Sequence, residues 1–139
     1  MNDLQFVERT LSLLADEGIE ARVFGGWAEE LLGLAEPRPH GDLDLLVAGD
    51  DWRGVDRLLE RLDEIEAKRF EHKRAFVLEG VTVELFLVRR DDAGLFTSFW
   101  DVRRPWPDDT LDDDGELPLA SAAAVAGYRA QHPRRAAPV

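Results

Sequence analysis

An α/β (α+β) fold, a mixed β-sheet flanked by helices, is what the first 90 residues predict. Two observations carry this. Segments with apolar residues every three or four positions alternate with short runs rich in β-branched and aromatic residues, and the last two such runs are separated by a two-residue turn. The 139 residues make about one ordinary domain, assigned here to 1–130, with 131–139 as a flexible tail. At 45% hydrophobic residues against 33% charged ones, the chain has enough apolar material for a core.

The elements follow in order. Leu4, Val7, Leu11 and Leu14 recur at helical spacing and Gly18 ends the run, which gives a first helix over roughly 3 to 17. Ile19 to Phe24 reads as a strand stopping at a Gly25-Gly26 turn. A second helix covers roughly 27 to 34, because Pro37 and Pro39 forbid its continuation. Asp42 to Val47 is a buried strand. Gly49-Asp50-Asp51 introduces a third helix whose apolar side carries Trp52, Val55, Leu58, Leu59 and Leu62. Arg74 to Leu78, the turn Glu79-Gly80 and Val81 to Val88 form a hairpin. Beyond residue 90 the pattern thins to a turn at Asp91-Asp92-Ala93-Gly94, one short strand near 95 to 100, a loop through Pro118 and an alanine-rich helix over Leu119 to Arg129. No internal repeat is present.

Charge narrows the partners. A formal net charge of -12 repels phosphate backbones, and no basic stripe relieves it, so an extended nucleic-acid surface is not expected. The same field suits a small cationic acceptor, a nucleotide neutralised by divalent metal, a basic protein partner, or plain solubility. No stretch approaches the roughly 20 apolar residues that span a bilayer, and MNDLQFVERT lacks the features of a secretory signal, so no membrane association and a cytoplasmic location are expected. With no cysteine, a metal must be held by oxygen or imidazole.

The chemistry concentrates at strand ends. Asp-x-Asp arises easily among 29 acids, and Asp112-Asp113-Asp114 contains one as well. Asp42 and Asp44 differ because Leu43, Leu45, Leu46 and Val47 fix them at the start of a buried strand, where a period of two sends both carboxylates to one face. Like charges held that close favour a hard divalent cation between them. Glu84 interrupts the apolar run Val81 to Val88, and an unpaired carboxylate there costs several kcal/mol. It is therefore paired with an arginine, turned to solvent, or bound to metal. If its strand lies beside that of Asp42, three carboxylates meet as two-metal nucleotidyl transfer requires. Gly25-Gly26, with no Cβ, would let a triphosphate approach backbone N–H groups at a helix start. Arg38 and His40 stand just before the acids, within reach of phosphate or acceptor, although Arg38 could equally pair with a neighbouring carboxylate. Trp27, Trp100 and Trp106 read as packing residues.

Gly25-Gly26-Trp27-Ala28, followed by Arg38-Pro39-His40-Gly41-Asp42-Leu43-Asp44 and by Val83-Glu84-Leu85, resembles the signature of lincosamide and aminoglycoside nucleotidyltransferases of the DNA polymerase β superfamily. The resemblance covers roughly residues 20 to 90. It implies the nucleotidyltransferase fold, an NTP co-substrate such as ATP and two Mg2+ ions. It also implies that Asp42 and Asp44 hold both ions, that Glu84 completes the site as ligand or general base, and that phosphates lie on Gly25-Gly26. The acceptor would be the hydroxyl of a small molecule, a cationic antibiotic among the options. Family members resemble this chain plus a further helical region, so a homodimer completing the pocket, or a shallow open site, is expected. The other readings are a nucleotidyltransferase-fold antitoxin or protein-nucleotidylating partner of a toxin, and a catalytically silent nucleotide-binding relative.

Overall fold

The computed structural model describes residues 1–133. Helix α1 spans Leu4–Asp16, one residue inside each expected boundary, and the Asp3 carboxylate accepts from the Phe6 N–H to cap it. Its buried face, Phe6, Val7, Leu11 and Leu14, contributes roughly 1.5–3 kcal/mol per large side chain. Strand β1 (Glu20–Phe24) leads straight into α2 (Gly25–Leu31), so the glycine pair is the first turn of a helix rather than a separate turn before it. Strand β2 (Asp42–Ala48), helix α3 (Arg53–Leu59), a two-residue β3 (Asp63–Glu64) and a single 3-10 turn (Glu66–Lys68) follow. The hairpin is β4 (Lys73–Leu78) and β5 (Val81–Asp91), turning on Glu79 and Gly80 at φ 52° and 79°, the left-handed pair that a tight hairpin needs.

The strand order is β1-β2-β5-β4-β3. β1 runs antiparallel to β2, β2 parallel to β5, and β5 antiparallel to β4, which gives the mixed sheet expected. β5 is long enough to serve twice: residues 82–88 pair with β2, and Arg89 to Asp91 pair with β6 (Gly94–Phe99). The expected loop after residue 100 holds a further strand, β7 (Val102–Pro105), paired with β6. Its sequence, Val102-Arg103-Arg104-Pro105, has no apolar alternation because it is an edge strand with little burial.

The chain then returns to β1, where the Val23 N–H donates to the Pro118 carbonyl and the Ala120 N–H to the Val23 carbonyl. This covers the sheet edge and delivers α4 (Ala122–Gln131) against α2. α4 starts three residues later than expected, at a Ser121 cap whose hydroxyl accepts from the Ala124 N–H, and its ring-bearing residue Tyr128 packs on Phe24. Of the tail assigned to 131–139, Gln131 ends α4 and His132 stacks on Tyr128 at 4.2 Å; residues 134–139 lie outside the described residues. Among the described residues no helix is long and apolar enough to cross a membrane.

Candidate active site

The parallel pairing of β2 with β5 decides the geometry. Its register sets Asp44 opposite Glu84, so these two carboxylates project from one face of adjacent strands, with Asp42 two residues back on the same face. The other face of β2 is the core: Leu43 and Leu45 are completely buried. Asp42 is exposed and Asp44 partly buried. Burial, then the nearby charges of Glu84 and Asp42, push the Asp44 carboxyl up to about 7.

Glu84 is only 8% exposed, and the cations that meet it are lysines, not an arginine. Lys68 Nζ lies 2.7 Å from its Oε1 and Lys73 Nζ 2.7 Å from its Oε2. Burial alone would raise the Glu84 pKa, yet the two lysine hydrogen bonds hold it below the ordinary carboxylate range. Lys73 was missed, one residue before the expected hairpin, although the signal was there: the Glu79-Gly80 turn pairs Ala75 with Glu84, and a residue two before Ala75 shares its face. Lys68 was not legible, because a 3-10 turn carries no sheet register. Among the described residues no three His, Asp or Glu side chains are grouped as metal ligands.

The glycines meet these side chains directly. A Cβ on Gly25 would stand 2.4 Å from Asp44 Oδ2, and Gly25 sits at φ 60°, so both sterics and backbone conformation demand glycine there. A Cβ on Gly26 would stand 2.5 Å from Arg38 Nη2 and 3.1 Å from His40 Nδ1. The helix start is thus already approached by a carboxylate, a guanidinium and an imidazole of this chain. Arg38 Nη1 is buried with no hydrogen-bond partner among the described residues, and the Arg38 backbone N–H donates to Glu30 Oε1. His40 Nε2 lies 3.0 Å from the same Glu30 oxygen and its ring packs on Trp27 at 4.3 Å. Asn2 was missed by the sequence reading. Its Nδ2 donates to the carbonyls of His40 and Asp42 while its Oδ1 accepts from Trp27 Nε1, which ties the strand entry to α2.

Asp44 and Glu84 also form one wall of a cleft of about 1000 Å³ whose other walls come from β6, β7 and α4, with Trp100, Arg104 and Tyr128 among them. Gly25, Gly26, Arg38 and His40 take no part in lining it. Asp44 therefore separates the helix-start side from the cleft side. Arg129 closes α4 onto α2 through a two-pronged contact with Glu29, at 2.9 and 3.1 Å. Trp27 and Trp106 are buried as expected, at 8% and 5%, but Trp100 is 67% exposed at the cleft mouth with φ 51°, which corrects its reading as a packing residue.

No protein-family model and no curated protein matches the chain. Solved structures do. The chain is similar to the antibiotic-resistance factor ANT(2'')-Ia, solved with adenylyl-2''-tobramycin, at TM-score 0.63 and 16% identity over 93% of this chain and 77% of that one. A solution structure of ANT(2'')-Ia gives TM-score 0.61 and 14% identity over 99% and 78%. A Thermotoga maritima protein described as a nucleotidyltransferase gives 0.62 and 16% over 93% and 83%. The fold is the nucleotidyltransferase fold.

Proposed function

We propose that this chain, built on the nucleotidyltransferase fold, transfers a nucleoside monophosphate from an NTP, with ATP as the first choice, to the hydroxyl of a small molecule in a metal-dependent reaction. The observation that carries the reading is the convergence of Asp42, Asp44 and Glu84 on one sheet face, with Asp44 flush against Gly25.

The residues fit divalent cations. Asp42 and Asp44 share a face, the Asp44 carboxyl is raised first by burial and then by the charges of Glu84 and Asp42, and the missing Cβ of Gly25 leaves Asp44 Oδ2 its place. Asp42 and Asp44 would hold two Mg2+ ions, with Glu84 beside them, its two oxygens paired with Lys68 and Lys73, in the place of the base. Bound there, the ions supply charge neutralisation for the triphosphate and activation of the acceptor hydroxyl. Arg38, whose Nη2 lies against Gly26 and whose Nη1 has no partner among the described residues, supplies a donor for a phosphate oxygen, and His40 is held beside Gly26 by Glu30. Glu84, kept ionised by its two lysines, takes the hydroxyl proton, and Lys73 faces the charge that develops on the transferred phosphoryl group. The acceptor oxygen forms the new bond to the α-phosphorus, the bond to the bridging oxygen breaks, and pyrophosphate leaves.

The test is pyrophosphate release from each NTP with magnesium across a panel of hydroxylated acceptors. Asp42→Asn and Asp44→Asn should each abolish it in a folded protein. Release that survives both substitutions would overturn the assignment.

A further inference from the structure

The cleft beyond Asp44 has a chemical character of its own. Outside Asp44 and Glu84 themselves, no acidic side chain lines it among the described residues, whereas Lys73, Arg103, Arg104 and Arg129 do. Three of these cations have carboxylate partners: Lys73 on Glu84, Arg103 on Asp91 and Arg129 on Glu29. Arg104 has none among the described residues. Its guanidinium is held by rings instead, 4.8 Å from the Tyr128 centroid and 5.5 Å from that of Trp106. Planar placement of a cation with no counter-charge leaves its donors for a ligand.

The opposite wall is aromatic. Trp100 stands edge-on to Phe70 at 4.6 Å and to His72 at 5.0 Å, and Phe70 and His72 stack at 5.6 Å with an interplanar angle of 7°. A tryptophan left 67% exposed over such a cluster, on a backbone at φ 51°, costs free energy that packing does not return. His72 is 7% exposed with Nδ1 unpartnered, and burial followed by the neighbouring Lys73 keeps its pKa below the usual imidazole value. A neutral ring among rings suits a flat ligand.

We propose that the acceptor is a hydroxylated compound with a planar aromatic body and an anionic group, not a polyamine. The body stacks at Trp100, the anion pairs with Arg104, and the hydroxyl reaches toward Asp44 and Glu84. A polycation of the tobramycin kind, the ligand component seen with ANT(2'')-Ia, would meet four cationic side chains and find only the two carboxylates already assigned to metal and proton transfer. This deepens the proposed function and rests on its placing nucleotide on the Gly26 side of Asp44, which leaves the cleft for acceptor.

The experiment is ligand-observed NMR titration of the full chain with magnesium and a non-hydrolysable ATP analogue. The probes are 4-hydroxyphenylacetate and tyramine, which share ring and hydroxyl but carry opposite charge, together with tobramycin. The expected result is that 4-hydroxyphenylacetate binds at least tenfold more tightly than tyramine, with tobramycin weaker still. Arg104→Gln should remove that preference, and Trp100→Ala, at an exposed side chain, should weaken both ring probes while the melting temperature holds. Tighter binding of tyramine or tobramycin, a preference unmoved by Arg104→Gln, or no binding by either ring probe would overturn the proposal. So would displacement of 4-hydroxyphenylacetate by the ATP analogue, since the cleft would then be the base site. Pyrophosphate release is not read, so absence of turnover leaves this result standing and counts only against the transferase reading.

Discussion

Asp44→Asn should make the metal-free protein more stable, and the gain should depend on pH. The carboxyl is pushed from 3.8 up to about 7 by burial and by Glu84 and Asp42, a displacement of roughly three pH units at about 1.4 kcal/mol each. Below the unfolded pKa both states are protonated and nothing is lost; as pH climbs from about 4 to about 7 the unfolded state ionises first, and wild-type stability falls by about 4 kcal/mol. Asparagine does not ionise and escapes this loss. Its advantage should be about 4 kcal/mol at pH 8 and about 2 kcal/mol near pH 5. In a domain of this size the pH 8 value is a rise in Tm on the order of 10 °C. Thermal melting in EDTA at pH 5 and pH 8 measures it. Magnesium should then raise the wild-type Tm and leave the variant nearly unmoved, because stabilisation by a ligand follows its affinity for the folded state. A variant that melts below wild type at pH 8, or an advantage identical at both pH values, would refute the account of Asp44 as a crowded carboxylate that a cation relieves.

Three further outcomes can be checked. Glu84→Gln should cut turnover by at least two orders of magnitude while costing the apo fold about 1–3 kcal/mol, since Lys68 is 40% exposed and can be rehydrated while Lys73, at 17%, is left with the amide oxygen; a loss near 5 kcal/mol with or without magnesium would make Glu84 a structural residue. Gly25→Ala should lower stability by about 1–3 kcal/mol from the φ of 60° alone and, by pressing on Asp44 Oδ2, weaken magnesium binding as read by calorimetry. Unchanged magnesium affinity in that variant would detach Gly25 from the metal site. Arg38→Gln should weaken ATP binding about tenfold in the presence of magnesium, and equal affinity would leave the buried Nη1 without a phosphate to serve.

What could be read from the sequence was whatever a short-range period encodes. Asp42 and Asp44 were legible because apolar neighbours fix a strand and a strand fixes which side chains share a face. Their meeting with Glu84 needed a pairing partner, and the sequence offered only a condition, that the two strands be adjacent; the parallel register of Asp44 with Glu84 supplies it. Gly25 and Gly26 were recognised for the right property, the absent Cβ, but the atoms pressing against them are those of Asp44 and Arg38. β7 was missed because edge strands have no buried face to pattern. The cleft was missed because it is assembled at long range. Arg129 and Glu29 meet 100 positions apart, and Trp100 reaches Phe70 across the sheet.

Net charge and the contact chemistry of the cleft point to acceptors of opposite sign. A total of -12 invites a cationic acceptor, since the far field of the molecule attracts one. The far field steers encounter, however, while contact chemistry is set within a few ångströms, where screening by salt and by paired neighbours removes distant charges. At contact range the cleft presents Arg104 without a counter-charge among the described residues and Lys73 already committed to Glu84. The two lysines explain how such a site survives inside an acidic protein. Three carboxylates on one sheet face would repel one another in the metal-free state, and Lys68 and Lys73 neutralise Glu84, which leaves Asp44 carrying the remaining excess. A polyammonium ligand would compete for the same carboxylates that the proposed metal ions would use. An acceptor whose charge is negative would avoid that competition and meet Arg104, which has no carboxylate partner among the described residues, so under the proposal the arrangement that keeps the apo fold tolerable also disfavours the cation that net charge favours.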